Sequence, residues 1–350
     1  MSVTTFVIVS LIKSAIGLGV LLTCVAYSVW LERKVVGHMQ NRWGPQRVGP
    51  FGLLQPLADG IKFIFKEDLT PPYVYKPLYI AAPMIAVICA VTSISVIPIG
   101  NWISIGGIHT PLQVTDVNIG LLVILGVTSV GVYGVALAGW SSNSKYSLLG
   151  SLRASAQMVS YEISLGLSLI GVLIMAGSLS LRTIVDSQAG VFWGFIPKWN
   201  ILHGQFIAFF IYLMSAYAET NRIPFDLPEA ETELVAGYHT EYSAMKFAMF
   251  FMAEYANMIT VGCLAVLLFL GGWHSPFAKD PLFGPPLLQA ILPIFWFVAK
   301  VFCFIFLYIW VRGTLPRFRY DQLMNFAWKF LFPLAVANLI VTAFIVAVTS

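Results

Sequence analysis

Eight apolar stretches, near residues 5–31, 79–100, 118–140, 157–178, 204–220, 243–270, 290–312 and 328–349, are the feature that most restricts what this chain can become. A hydrocarbon core of about 30 Å takes ~20 helical residues to cross, and in lipid the backbone polar groups must be satisfied within the segment, so such stretches become helices. Only 10% of the residues are charged, against about 25% in a soluble domain. Mean hydropathy is +0.82. The expected fold is therefore an all-α polytopic membrane protein of about eight transmembrane helices, forming a single transmembrane domain over 1–350. The same arithmetic excludes a disulfide scaffold, a nucleic-acid-binding domain and a disordered hub. Lys13 interrupts the first stretch, and Glu32-Arg33-Lys34 follow it without a small-residue cleavage pattern, so that stretch is expected to stay in the membrane.

Basic residues divide sharply between alternate connections. Arg33, Lys34, Arg42, Arg47, Lys62, Lys66, Lys76, Lys145, Arg153, Arg222, Arg312, Arg317, Arg319 and Lys329 fall in the odd-numbered loops, whereas the even loops hold only Arg182, Lys198 and Lys279. By the positive-inside rule the odd loops face the cytoplasm, and both termini are expected on the periplasmic side of a cell inner membrane.

Redox groups are not encoded in any familiar form. Cys24, Cys89, Cys263 and Cys303 lie in separate apolar stretches, without a C-x-x-C pair or the Cys/His spacing of a metal site. The sequence has no strand-borne G-x-G-x-x-G and no Walker A loop, so flavin, nicotinamide and ATP sites are unsupported. Electrons for any redox role must come from a partner.

Between the first two spans, apolar residues at 54, 57, 58, 61, 64 and 65 keep helical spacing, while Gln55, Asp59, Lys62 and Lys66 fall on the opposite face. Residues 54–67 therefore read as an interfacial amphipathic helix. Such a helix is ~21 Å long, too short to span but long enough to form the lip of an opening. A plain surface anchor has the same pattern.

Acids concentrate elsewhere. The acidic cytoplasmic loop 221–241 carries four carboxylates and no base from 226 to 233, namely Asp226, Glu229, Glu231 and Glu233, and on a helix Asp226, Glu229 and Glu233 share one face with Glu231 turned away. One or two of these acids, not four, are explained as a helix cap; stacked like charges raise one another's pKa and become candidates for proton exchange. Glu162 and Glu254 enter apolar spans, and Glu219 and Glu241 lie near span ends. An ionisable residue at membrane depth costs several kcal/mol unless paired or neutral. Lys300, midway along the seventh span, is a candidate to neutralise one of these acids.

These blocks carry a resemblance. Glu32-Arg33-Lys34-Val-Val-Gly37, Gln40-x-Arg42-x-Gly44-Pro45 and Gln55-Pro-x-Ala-Asp59-Gly-x-Lys62 are joined by Tyr146-Ser-Leu-Leu-Gly-Ser-Leu-Arg153, Ser160-Tyr-Glu162, Ala218-Glu219-x-Asn221-Arg222-x-Pro-Phe-Asp226, Gly237-Tyr-His-Thr-Glu241-Tyr242, Ala253-Glu254-Tyr255 and Pro316-Arg317-Phe-Arg319-Tyr-Asp321. Together they resemble the quinone-chamber membrane subunit of respiratory complex I, known as the H subunit in bacterial NADH:quinone oxidoreductase. The resemblance covers nearly the whole chain. It implies quinone as substrate, with Glu32, Arg33, Arg42, Asp59, Lys62, Glu229 and Glu231 along the quinone tunnel. It also implies a proton-coupling chain through Glu162, Glu219, Asp226, Glu233, Glu241 and Glu254, acting with the tunnel acids Glu229 and Glu231. The implied partners are an iron–sulfur subunit bearing the terminal cluster, quinone-site subunits of the peripheral arm, small membrane subunits and membrane lipid, with no nucleic acid. No metal, flavin or nicotinamide is expected on this chain itself.

Two other readings use the same acids. A cation-coupled secondary transporter would place them at the membrane midplane within an inverted repeat; no internal repeat is visible, and the charges crowd toward one face. A hydrogenase-type complex uses a related subunit without quinone, and the intact first loop argues against it.

Overall fold

The computed structural model describes residues 3–105, 108–192, 196–226, 236–277 and 286–349. Chain order runs α1 (Val3–Met39), α2 (Gln55–Phe65), α3 (Lys76–Ser95), α4 (Gly120–Ser141), α5 (Lys145–Ala176), α6 (Leu181–Ser187), α7 (Phe206–Glu219), α8 (Ala244–Phe269), α9 (Pro286–Thr314), α10 (Tyr320–Phe326) and α11 (Phe332–Thr349). A π-helical turn, Ala327–Leu331, joins α10 to α11 in one continuous rod. Among the described residues seven helical passes are long and apolar enough to cross a membrane. The eighth expected span is α7, whose 14 residues cover only ~21 Å. It stops where Asn221 turns left-handed, at φ 50°.

Alternate connections collect at opposite ends of the bundle. At one end the Tyr75 amide donates to the Ser141 carbonyl and Phe318 to Pro224, while the Tyr73 hydroxyl donates to Glu241. At the other, Leu121 donates to Leu179 and Ile201 to Phe269, and Lys13 reaches Pro111. The basic odd-numbered loops thus share one end, as eight alternating passes require. The even connections carry two antiparallel hairpins, β1 (Trp102–Ile105) with β2 (Ile108–Pro111) and β3 (Val191–Phe192) with β4 (Ile196–Pro197), which the span pattern did not signal.

Two helices outrun their apolar stretches. Helix α1 continues through Glu32-Arg33-Lys34 to Met39, and α5 begins at Lys145, twelve residues before its expected span at 157. Hydropathy marks what lipid tolerates, whereas a helix persists until its backbone is turned, here by Asn41 at φ 58°.

Helix α8 is the axis of the bundle, with 78% of its apolar window buried against 6% for α1. Around it, small residues let backbones approach, since lipid tails offer helices no hydrophobic reason to associate. A Cβ at Gly134 of α4 would stand 3.1 Å from the Ala82 carbonyl oxygen of α3, and one at Gly150 of α5 would stand 2.7 Å from the Gly237 backbone. Buried Ser93, Ser142 and Ser168 return their hydroxyls to carbonyls of the preceding helical turn, which satisfies those donors without a partner from another helix.

Candidate functional site

The end of α1 divides its charges between two destinations. Successive residues on a helix stand about 100° apart, so Glu32 turns into the bundle and Arg33 outward. The Arg33 Nη1 lies 2.6 Å from Asp59 Oδ2 on α2, Lys62 Nζ lies 3.6 Å from Asp59 Oδ1, and Gln55 donates to the same carboxylate at 3.1 Å. Helix α2 is therefore tied to α1 through its polar face. Its apolar face, with Leu57, Ile61, Ile64 and Phe65, is exposed. Arg42 stays outside this group, its Nε donating to Gln40 at 2.8 Å.

Glu32 enters a buried cluster drawn from four parts of the chain. Its Oε2 accepts from Arg222 Nη1 at 3.0 Å and from the Tyr255 hydroxyl at 2.8 Å, while its Oε1 pairs with Arg312. The Arg222 Nε stands 2.6 Å from Glu254 Oε1, at ion-pair distance without hydrogen-bond alignment, which leaves Nε and Nη2 without a hydrogen-bond partner. The guanidinium also lies 4.2 Å from the centre of the Tyr255 ring, a cation–π contact in a desolvated setting. Arg222 is 5% exposed and Glu32 7%. One base is thus shared by two acids from α1 and α8, and Arg312 of α9 supplies the second positive charge.

Local sequence explains how Arg222 reaches this place. Helix α7 ends at Glu219, and the buried Gln157 side chain of α5 donates to the carbonyls of Ala218 and Phe225, both at 2.8 Å, and reaches the Asn221 side chain at 3.3 Å. The loop is clamped again by Phe318, which stacks on Phe225 at 5.8 Å. Beyond it, Asp226 pairs with Arg317 at 3.0 Å. Burial pushes the Asp226 carboxyl above its ordinary range, against the opposing pull of Arg317 and, farther off, of Arg312 and Arg222.

The other acids form separate groups. Glu162 of α5 accepts a hydrogen bond from the Ser129 hydroxyl of α4. Glu219 borders a cavity of ≈ 10 Å³, also lined by Thr128, Tyr212, Asn257 and Thr260. That is room for about one water among polar partners. Glu241 sits apart, accepting from Tyr73 at 2.8 Å through its side chain and from Tyr79 at 2.6 Å through its carbonyl. Near it burial holds the His239 imidazole down to about 4, so it is neutral at pH 7. Glu229, Glu231 and Glu233, with the shared helical face expected of them, lie outside the described residues.

Two expectations change. The partners of Lys300 among the described residues are not Glu162, Glu219, Glu241 or Glu254: its ammonium donates to the carbonyls of Leu270, Gly272 and His274 at 2.7, 2.9 and 2.7 Å, over the Trp199 ring at 4.4 Å. It caps the end of α8, where unsatisfied carbonyls and the negative end of the helix dipole attract a cation. Glu32 and Glu254, read as belonging to different chains of residues, meet through Arg222. Arg222, Arg312 and Tyr255 were not singled out from sequence. The available signal was a base in a loop otherwise given over to acids, and a second base at the end of a span.

The NADH dehydrogenase family profile matches residues 12–343. The chain belongs to the NADH dehydrogenase family. Among its relatives, the second H subunit of NADH-quinone oxidoreductase from Koribacter versatilis is 70% identical, with 99% of each chain covered. The first H subunit of the same enzyme from Solibacter usitatus is 53% identical, covering 99% of this chain and 98% of its own. Its counterpart from Geobacter metallireducens is 51% identical over 96% of both. Among the described residues no group of three or more His, Cys, Asp or Glu side chains is arranged to hold a metal ion.

Proposed function

We propose that the chain is the membrane subunit of a proton-translocating NADH:quinone oxidoreductase that encloses the path of the quinone and carries the charge change of its reduction into the membrane. The observation that supports this most is the buried Glu32–Arg222–Glu254 bridge, which joins the α1 end beside the surface helix to the centre of the bundle. The names of its relatives supply the reaction class.

Quinone reduction to quinol consumes two electrons and two protons. An isoprenoid tail partitions into lipid, so its door opens sideways, between α1 and α2, with the exposed Leu57, Ile61 and Ile64 toward the acyl chains. Arg33, Asp59 and Lys62 mark the polar rim of that door, with Arg42 on the same loop. Electrons arrive from the terminal cluster of an iron–sulfur subunit seated, with other peripheral-arm subunits, on the cytoplasmic loops; small membrane subunits flank the bundle. A unit charge at ~4–6 Å shifts a carboxylate by about 1–3 pKa units. A proton taken up near Glu32 therefore alters the hold of Arg222 on Glu254, and Glu219 and Glu162 continue the route toward neighbouring subunits. Asp226, Glu229, Glu231 and Glu233 act as its electrostatic input, with Glu241 at its edge.

The test is Glu254→Gln and Glu162→Gln in the assembled complex. Electron transfer to an artificial acceptor upstream of quinone should persist, while quinone-linked turnover and proton translocation fall together. Both variants pumping at the wild-type proton-to-electron ratio would overturn the coupling role.

A further inference from the structure

A crevice of ≈ 750 Å³ runs along α1, lined on that helix from Val9 to Leu31. Twenty-two residues of rise at 1.5 Å each make ~33 Å, the full thickness of a hydrocarbon core. Its opposite wall is apolar, from Ile259 and Cys263 of α8 and Phe297 to Ile305 of α9. One end, at Tyr27–Leu31, adjoins Glu32 and the proposed quinone door. The other end holds Lys13, some 28 Å away along the helix by the same rise.

Lys13 is an unusual charge to place there. Its ammonium donates to the Pro111 and Gln113 carbonyls at 2.8 and 3.2 Å, so two of its three N–H bonds are used and its charge is not compensated. The neighbouring charge that acts on it is Arg182, of the same sign. All three guanidinium nitrogens of Arg182 are buried without a hydrogen-bond partner, and the group lies 4.8 Å from the Trp102 ring centre. Among the described residues neither base makes an ion pair. Lys13 lines the crevice, and Arg182, outside its lining, adds a second positive charge to the field there, which calls for an anion, while the walls call for hydrocarbon.

We propose that this end of the crevice binds an anionic phospholipid, its phosphate held by Lys13 with Arg182 behind it and one acyl chain laid along Ile16, Val20 and Cys24 against Val298 and Phe302. The length decides between lipid and quinone. An acyl chain reaches about half the bilayer, ~15 Å or ten helical residues from Lys13, and so ends near Cys24. The remaining ~10 Å from Cys24 to Leu31 is left for the isoprenoid tail. An isoprenoid filling the whole crevice would bring hydrocarbon against the ammonium and leave its charge unanswered. A free phosphate would meet the charge but leave the walls bare.

The experiment uses membranes holding the assembled complex, with phosphatidylglycerol and phosphatidylcholine probes that each carry a diazirine in one acyl chain. Crosslinks are mapped by mass spectrometry. Phosphatidylglycerol should label Ile16–Cys24 at least about fivefold more than phosphatidylcholine, the ratio that ~1 kcal/mol per basic side chain gives. Lys13→Gln should abolish that preference, Lys13→Arg should keep it, and labelling of the exposed α11 face should be the same in all three as a folding control. Equal labelling by the two probes, an unchanged preference in Lys13→Gln, or displacement of the label by long-tailed quinone but not by unlabelled phosphatidylglycerol would each overturn the proposal. Displacement by inorganic phosphate would also overturn it, by showing an anion site without a lipid.

Discussion

Replacing Arg222 with Gln tests the charge cluster most directly, because the partners it leaves behind fare unequally. Glu32 keeps Arg312 and the Tyr255 hydroxyl. Glu254 loses the one ion pair it makes among the described residues. An uncompensated buried charge costs about 3–5 kcal/mol. Protonation sets a ceiling on that figure: an ordinary glutamate with a pKa of about 4.3 takes a proton at pH 7 for ~3.7 kcal/mol, at 1.36 kcal/mol per unit. The expected loss is therefore about 3–4 kcal/mol, read as the local opening free energy of amides 218–226 and 250–258 by hydrogen exchange in the purified complex. Lowering the pH by one unit should return roughly 1.4 kcal/mol of it in the variant, since the proton that neutralises the orphaned acid is then easier to take up. The double variant with Glu254→Gln removes that acid, and should recover about 2 kcal/mol, a non-additivity expected only of groups in direct contact. A loss below about 1 kcal/mol in Arg222→Gln, or a double variant equal to the sum of the singles, would refute the shared-base arrangement.

Other outcomes follow from the same geometry. Burial holds the His239 pKa at about 4, below the unfolded value of about 6.5, so its contribution is complete above pH 6.5 and is lost as pH falls from there through 4; hydrogen-exchange protection factors at Tyr238–Tyr242, taken relative to the intrinsic rate at each pH, should fall over that window in the native chain and not in His239→Gln. Lys300→Met removes three bonds to carbonyls, for about 2–4 kcal/mol of lost stability, yet the proton-to-electron ratio of the surviving complex should stay at the wild-type value; a changed ratio would make Lys300 part of the relay. A bulky residue at Ala58 on α2 should raise the apparent KM for long-tailed quinone far more than for a short-tailed analogue, and equal losses would count against a door to lipid. Reporter fusions at Gly150 and Gly272 should show opposite sidedness, cytoplasmic at Gly150; cytoplasmic signal at Gly272 would reverse the orientation.

Apolar run length revealed the passes, and the distribution of basic residues revealed which connections share an end, because both are properties of single segments in contact with lipid or water. The meetings inside the bundle are of another kind. Arg222 and Glu32 are 190 positions apart, and Arg312 and Glu32 are 280 apart. Nothing local in Glu32-Arg33-Lys34 tells which of three adjacent charges turns inward; that follows from the azimuth at which α1 packs on α8 and α9, a tertiary quantity. Lys300 shows the matching error in a single residue. A lysine in an apolar span invites an acidic partner, since side chains are what a sequence displays, yet helix ends present bare carbonyls that no residue letter records. The clue was present in Gly271-Gly272, both at positive φ, where α8 ends and exposes the acceptors that Lys300 satisfies. A span ended by a glycine pair therefore predicts a need for a donor as strongly as a buried carboxylate does, and a lone lysine one helix away is as well explained by the first as by the second.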